Sequence, residues 1–409
     1  MAIERAVRWV DRGWPRQVAS VAGLALGLGA AACGGGTSRT ESGFAPVQRA
    51  VHGSPAGTLG VQVRWTLDLG PKFGGRYIPV ERAGLASDDS GNLFAGSSYG
   101  VLWSLDPSGR EIWRRDIGAG VESAPVTDTH SDLVWVAGIN GALHALAKAD
   151  GSSRWTTQIG GAVSAAPTLT DDAVYLVTDD DKVVAVSRTS GEILWRFAHD
   201  AAESNLAIAG HAGLLIRDGR LYTGFSDGSV VALDASDGRR LWQVDTSLDL
   251  ESSAGEGTSF VDVDTTPVKI GSRLFVASFA AGLYVLAADT GVLLSRHAEF
   301  TGVTSMAGEE DTLVLSSAEQ GIVCVDVVSM TPRWTRRPKA VRGAPTEPQI
   351  HENQLFVGES RGALLVLSLA DGQELARLES GHGYTASPLL GERGGVVLSN
   401  AARLLAFQY

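Results

Sequence analysis

Arg220-Leu-Tyr-Thr-Gly-Phe-Ser-Asp-Gly-Ser-Val-Val-Ala-Leu-Asp-Ala-Ser-Asp-Gly-Arg-Arg-Leu-Trp242 holds three apolar or aromatic runs separated by two Asp-Gly pairs. Short runs punctuated in this way read as strands joined by tight turns. One strand precedes Asp227-Gly228, a second precedes Asp237-Gly238, and a third ends on the tryptophan. Variants of the unit run from Asn92 to Trp113, Asp132 to Trp155, Asp172 to Trp195, Arg273 to Ser295, Asp311 to Trp334 and Asn353 to Ala376. Upstream of many units stands a further strand with a Ser/Thr-x-Pro or related element, as in Ser123-Ala-Pro125, Ala165-Ala-Pro167, Thr265-Thr-Pro267 and Ser387-Pro388. Each repeat therefore has four strands.

The marker positions Trp113, Trp155, Trp195, Trp242, Ser295, Trp334 and Ala376 are 39 to 53 residues apart, near the period of a four-stranded propeller blade. Seven blades are counted directly. Beyond Ala376 the chain offers three more strands, near Ser387–Leu390, Gly395–Ser399 and Arg403–Gln408. The stretch Val61-Gln-Val-Arg-Trp65-Thr-Leu-Asp-Leu69 carries the outer-strand pattern with no blade before it. It predicts the missing fourth strand, closing an all-β, eight-bladed β-propeller of four-stranded antiparallel blades over residues 61–409. Closure removes the sheet edges that invite aggregation. A tryptophan recurring once per blade at one place reads as packing between neighbouring sheets.

The N-terminus reads as an address and an anchor. Four arginines within residues 1–17 precede the apolar run from Val18 to Ala32, the order of a secretory signal. That run is about 15 residues of mostly small side chains, short of the roughly 20 needed to span a bilayer as a helix. Ala30-Ala31-Ala32-Cys33 resembles a bacterial lipobox, which implies a cleaved signal peptide over residues 1–32 and lipid attachment at Cys33; Ala30 stands where that pattern usually has Leu. Residues 33–60, rich in Gly, Ser and Thr, read as a flexible tether. Gly34 follows the cysteine, and in such lipoproteins the absence of Asp there implies the outer membrane, on its periplasmic face.

Charge and chemistry narrow the function. Removing Arg5, Arg8, Arg12 and Arg16 with Glu4 and Asp11 leaves 30 basic against 44 acidic residues, which disfavours a nucleic-acid surface. Fifty glycines suit many tight turns, and two cysteines, Cys33 and Cys324, exclude a disulfide framework. Cys324, in the alternating Gly321-Ile-Val-Cys-Val-Asp-Val327, reads as a small buried residue. The eight histidines show no metal-ligand spacing, and no nucleophile elbow or phosphate loop is present. Asp179-Asp-Asp181 and Glu309-Glu-Asp311 read as turns. The repeats resemble those of quinoprotein dehydrogenases that carry pyrroloquinoline quinone, where they are structural. The adjacent Cys-Cys pair of those enzymes is missing, so the reading assigns no catalytic residue, no cofactor and no metal.

Val261-Asp-Val-Asp-Thr-Thr-Pro-Val268, followed by Gly271-Ser-Arg-Leu-Phe-Val276, is more specific. It resembles the signature stretch of the BamB family, propeller lipoproteins of the outer-membrane β-barrel assembly machinery. The resemblance extends from about Val61 onward in blade number, anchor and order of repeats. It implies a non-enzymatic scaffold that docks on the periplasmic repeat domains of the barrel-inserting outer-membrane subunit, serves unfolded outer-membrane proteins, and is a monomer within a hetero-complex. Carried over by position, the docking acids are Asp262 and Asp264, and an apolar pair one blade earlier, in Asn205-Leu-Ala-Ile-Ala-Gly210, is Leu206 and Ile208. Ala209 replaces the arginine that normally follows in that loop. The long linker Thr246–Phe260, between the fourth and fifth blades, is the kind of loop that carries function. Two other readings remain: a propeller lipoprotein binding another envelope protein or a glycan, and a quinone-dependent dehydrogenase-like protein.

Overall fold

The computed structural model describes residues 60–70, 80–199, 212–247, 262–337 and 343–409. Eight four-stranded antiparallel sheets form an eight-bladed β-propeller. Blades 1 to 7 occupy residues 85–116, 126–158, 168–198, 215–245, 268–297, 303–336 and 349–379, each a simple up-and-down meander from the axis outward. Blade 8 combines Leu389–Gly391, Gly394–Leu398 and Arg403–Gln408 with Gln62–Asp68 from the other end of the chain. Gln62 pairs with Gln408 and Asp68 with Arg403, which closes the ring as the sequence predicts.

Burial explains the strand patterns. A blade is sandwiched between two neighbours, so its middle strands are buried on both faces and read as unbroken apolar runs. Ala173–Val177 is buried throughout, as is most of Ser229–Asp234. Outer strands face solvent on one side and alternate, as in Ile193–Ala198. The hydrophobic core is divided among the blade junctions. Leu221 and Leu233 of blade 4 pack with Tyr175 and Val183 of blade 3. At the seam, Leu398 and Leu404 of blade 8 pack with Leu85 and Leu105 of blade 1.

The recurring tryptophan is the clasp between blades. Its Nε1–H donates at 2.7–3.1 Å to a backbone carbonyl of the next blade: Trp65 to Pro107, Trp113 to Lys148, Trp155 to Arg188, Trp195 to Ala235, Trp242 to Ala288 and Trp334 to Leu369. Its ring lies on a turn glycine of that blade. A Cβ on Gly109, Gly151, Gly191, Gly238, Gly291 or Gly372 would stand 2.5–2.8 Å from the indole, and each of these glycines has positive φ. In every blade the pairing of the outer strand slips by one residue just before this position, for example between Ala232 and Leu233 opposite Arg240 and Trp242. Such a bulge turns the following side chain toward the neighbouring blade. The tryptophan is not the end of its strand: in blade 4 the strand continues from Arg240 to Asp245.

Two junctions lack the clasp, each with a local reason. Blade 5 has Ser295 in place of tryptophan, and blade 6 has Met330 where the other turns have glycine. Met330 keeps the positive φ of 55° and fills the junction itself, packed with Val327 and Leu283. Blade 7 has Ala376 because blade 8 has no third turn: its third strand ends near the C-terminus and its fourth comes from residue 62. Val61, Phe356 and Phe407 occupy that space instead.

Candidate partner-binding site

Of the residues carried over by position, Asp262 and Asp264 are described; Leu206, Ile208, Ala209 and the lipid-attachment candidate Cys33 lie outside the described residues, as does most of the Thr246–Phe260 linker. The segment from Asp262 to Pro267 leads into the innermost strand of blade 5, Val268–Ile270. Its odd-numbered residues seat it. Val263 is buried against Gly224 of blade 4, where a Cβ would stand 2.3 Å from the valine, so only glycine admits this approach. Thr265 Oγ1 donates to the Ala277 carbonyl and accepts from the Ala277 amide, both at 3.1 Å. Between these anchors Asp264 is half-buried, whereas Asp262 is only 1% exposed. The two acids therefore differ: Asp264 contributes to the surface and Asp262 to the packing beneath it.

Described residues that flank the candidate elements bond to the turn Phe225-Ser226-Asp227-Gly228 of blade 4, which the sequence presents only as an Asp-Gly hairpin. The Val263 amide donates to the Phe225 carbonyl at 3.2 Å. Thr246, the first residue of the linker, donates to the Gly228 carbonyl through its amide at 3.0 Å and its hydroxyl at 2.8 Å. His199, just past the outer strand of blade 3, reaches the same turn. Its ring stacks on Phe225 with centroids 4.4 Å apart and planes 6° from parallel, and its Nε2 lies 2.6 Å from Asp227 Oδ2. An ionised carboxylate only accepts, so the ring N–H is the donor. Ser226 binds Asp181 of blade 3, whose carbonyl accepts the His199 amide at 3.2 Å. Asp181, read in the sequence only as part of an acidic turn, is thus a buried contact between blades. The one signal that could have exposed this cluster was Gly224, a small residue inside a strand, which marks close approach of another segment.

Other groups with chemical potential serve packing. Cys324 is fully buried in the junction between blades 6 and 7, and burial pushes its thiol up to about 11, far from the range of a reactive thiolate. Asp326 is held well below the ordinary carboxylate range by the Ser329 amide and by Arg333. Among the described residues no group of three or more His, Cys, Asp or Glu is placed to hold a metal ion.

The geometry defines a class: an eight-bladed propeller of repeats whose described residues present a loop-bearing rim and show no catalytic constellation. Sequence comparison narrows the class. A model of the outer membrane protein assembly factor BamB family matches residues 60–130 and 129–336, more than half of the chain, and the chain belongs to that family. Its relatives include the BamB of Shewanella oneidensis, 24% identical over 336 residues that cover 79% of this chain and 82% of that protein. The BamB of Burkholderia pseudomallei is 26% identical over 356 residues, covering 86% and 88%. Among solved structures, BamB from Moraxella catarrhalis superimposes with a TM-score of 0.70 at 18% identity, covering 85% of this chain and all of that one. The quinohemoprotein alcohol dehydrogenase of Comamonas testosteroni shares the fold at a TM-score of 0.66 and 14% identity, over 85% of this chain and 76% of that one.

Proposed function

We propose that the protein is a non-enzymatic scaffold of the outer-membrane β-barrel assembly machinery, docking on the periplasmic repeat domains of the barrel-inserting subunit and serving unfolded outer-membrane proteins there. Membership of the BamB family carries this reading. In it, residues 1–32 are a signal peptide, Cys33 carries the lipid, residues 33–60 tether the propeller, and the body faces the periplasm as a monomer within a hetero-complex. Asp264 is the half-buried acid that reaches the docking surface, Asp262 supports it from beneath, and Leu206 and Ile208 supply the apolar contact. A docking surface that combines an acid with an apolar pair suits a partner presenting a cation and an apolar edge, because a charge contact fixes register while burial supplies most of the affinity.

The test is capture of the lipidated protein from its own envelope in mild detergent. The wild type recovers the barrel-inserting subunit. Asp264→Arg and the pair Leu206→Ser/Ile208→Ser lose it while keeping the wild-type melting temperature. Undiminished recovery by those folded variants sinks the docking surface, and recovery of an unrelated envelope protein sinks the scaffold role. Cys33→Ser moves the protein from the membrane to the soluble fraction if the anchor is right.

A further inference from the structure

We infer that the groove between blades 8 and 1 is a binding site for an aromatic carboxylate, a ligand whose ring lies close to a carboxyl group. The groove sits across the ring of blades from the junction of blades 4 and 5 and does not depend on the docking reading.

The protein's own repeats supply the template. In each blade one row of paired residues runs from the second strand through the third to the position of the clasp tryptophan. Its second-strand member in blades 1 to 7 is Phe94, Trp135, Tyr175, Tyr222, Phe275, Val314 and Phe356. All seven are at most 5% exposed. Six carry a ring, and three of these rings pack on the tryptophan of their own blade: Phe94 on Trp113, Tyr175 on Trp195 and Tyr222 on Trp242, with centroids 5.8–6.0 Å apart. Val314 has no ring, but Leu355 and Ile350 of blade 7 pack in one cluster with it. In blade 8 the row is Val396, Ala406 and Trp65, and Val396 is part-exposed. Space that an aromatic side chain fills elsewhere is left open here, against the close packing of the other junctions.

The mouth is open for a second reason. Two residues before the ring, blades 4 and 5 carry Arg220 and Arg273, which reach across the junction to Asp289 and to the Val327 carbonyl of the next blade. Blade 8 has Gly394 at this place, paired with Gly391, so no side chain closes the entrance. The result is a groove of about 610 Å³, within the size range of small-molecule sites. Leu389, Val396 and Ala406 line it from blade 8, and Leu93 and Pro107 from blade 1.

Charge selects the ligand. Arg64 also lines the groove, beside Trp65 in the same strand, and is exposed. Its guanidinium donates to the neutral side-chain oxygen of Gln408 at 2.5 Å. None of the described residues that line the groove is acidic. An apolar slot with a tryptophan in its wall and one guanidinium beside it suits a ring bearing a carboxyl group: ring burial supplies affinity, and the guanidinium fork pairs with the carboxylate. A cationic ring would meet Arg64 unfavourably, and a neutral ring would leave it unused. The same chemistry is offered by a free aromatic acid and by the last residue of a polypeptide ending in an aromatic side chain.

The experiment titrates the full-length protein with N-acetyl-phenylalanine, its amide, N-acetyl-alanine, and the acetylated pentapeptide Gly-Thr-Gly-Thr-Phe with a free C-terminus. Binding is read at the indole N–H signal of Trp65, assigned by its loss in Trp65→Phe. N-acetyl-phenylalanine shifts this signal saturably and binds at least about tenfold more tightly than the amide or N-acetyl-alanine. Arg64→Gln abolishes the preference for acid over amide. Val396→Phe copies blade 1, fills the groove and weakens binding at least about tenfold at an unchanged melting temperature. Ser87→Trp, at an exposed position of the lining, does the same and serves where Val396→Phe fails to fold. Tighter binding of the pentapeptide than of N-acetyl-phenylalanine identifies a chain end as the source, and equal binding a free aromatic acid. No saturable shift in the folded wild type overturns the inference, as does equal binding of acid and amide, or undiminished binding by folded Val396→Phe or Ser87→Trp. If Asp264→Arg still captures the barrel-inserting subunit, the docking reading fails by itself and these results stand.

Discussion

Gly238 shows how one missing Cβ carries a junction. Its φ is +73°, and a methyl there would stand 2.5 Å from Trp195 Cε3. Gly238→Ala combines a left-handed alanine, about 1–2 kcal/mol, with overpacking of about 1–3 kcal/mol. Gly271 is the control, with φ +59° and nothing within 4 Å of an added methyl, so Gly271→Ala incurs the backbone penalty alone. Urea unfolding of the two variants separates the terms; equal losses would show that the indole yields freely.

Glu81 stands where Val121, Val163 and Val263 stand in blades 2, 3 and 5, and it is fully buried. Burial raises its pKa above 4.5, partly offset by hydrogen bonds from the Ser98 amide at 2.8 Å and the Ser98 hydroxyl at 2.9 Å. The folded protein thus holds this proton more tightly than the unfolded chain. Its contribution is fully present below pH 4.5, and stability declines as pH rises from there through the folded pKa, then levels off. Glu81→Gln cannot titrate. The stability of the wild type relative to this variant should fall as pH rises above about 4.5; a constant difference would mean that Glu81 titrates normally.

At the scale of the blade, Ser295 and Met330 behave as one exchanged pair. Ser295→Trp alone forces an indole onto Met330 and should destabilise by about 1–3 kcal/mol, and Met330→Gly alone leaves a void worth about 2–5 kcal/mol. Together they rebuild the tryptophan-on-glycine clasp, so the double variant should regain most of the summed loss. Additive losses in a double-mutant cycle would refute the pairing.

This pair also marks where the sequence stops being legible. Strand number, blade count and the closing role of Trp65 follow from a period and a tryptophan position, which are local. That Ser295 is compensated by Met330 depends on which blade lies next to which, and the two residues are 35 positions apart in a repeat that suggests no link. Ala376 likewise looks like a degenerate repeat until the ring shows that its neighbour has no turn to receive a tryptophan. In the candidate site, the Asp-Val-Asp segment was legible as a motif. The burial of Asp262 and the meeting of His199 with Asp227 were not, because both arise from contact between adjacent blades.

For the whole molecule, the strand Gln62–Asp68 decides whether a ring exists. It covers the third strand of blade 8, aided by Arg403 against Asp68 at 2.6 Å and Arg64 against Gln408 at 2.5 Å, and it delivers Trp65 to blade 1. Deleting residues 60–69 exposes a full strand edge and empties the blade 8 to blade 1 clasp. The deletion protein should elute as oligomers and lose Tm; a monomer of unchanged Tm would show that closure is dispensable.

The same seam sets a clock. Arg64 and Gln408 are 344 positions apart, so the ring closes only when two segments far apart in the chain meet. Blades 1 to 7 are each built from consecutive segments, but blade 8 needs two distant ones, and closing so long a loop is entropically costly. Until that pairing forms, the seven consecutive blades make an open arc with an unpaired strand at each end. Those two ends are where the partly folded chain is open to pairing with other chains, and the pairing of Gln62–Asp68 with Arg403–Gln408 removes both at once.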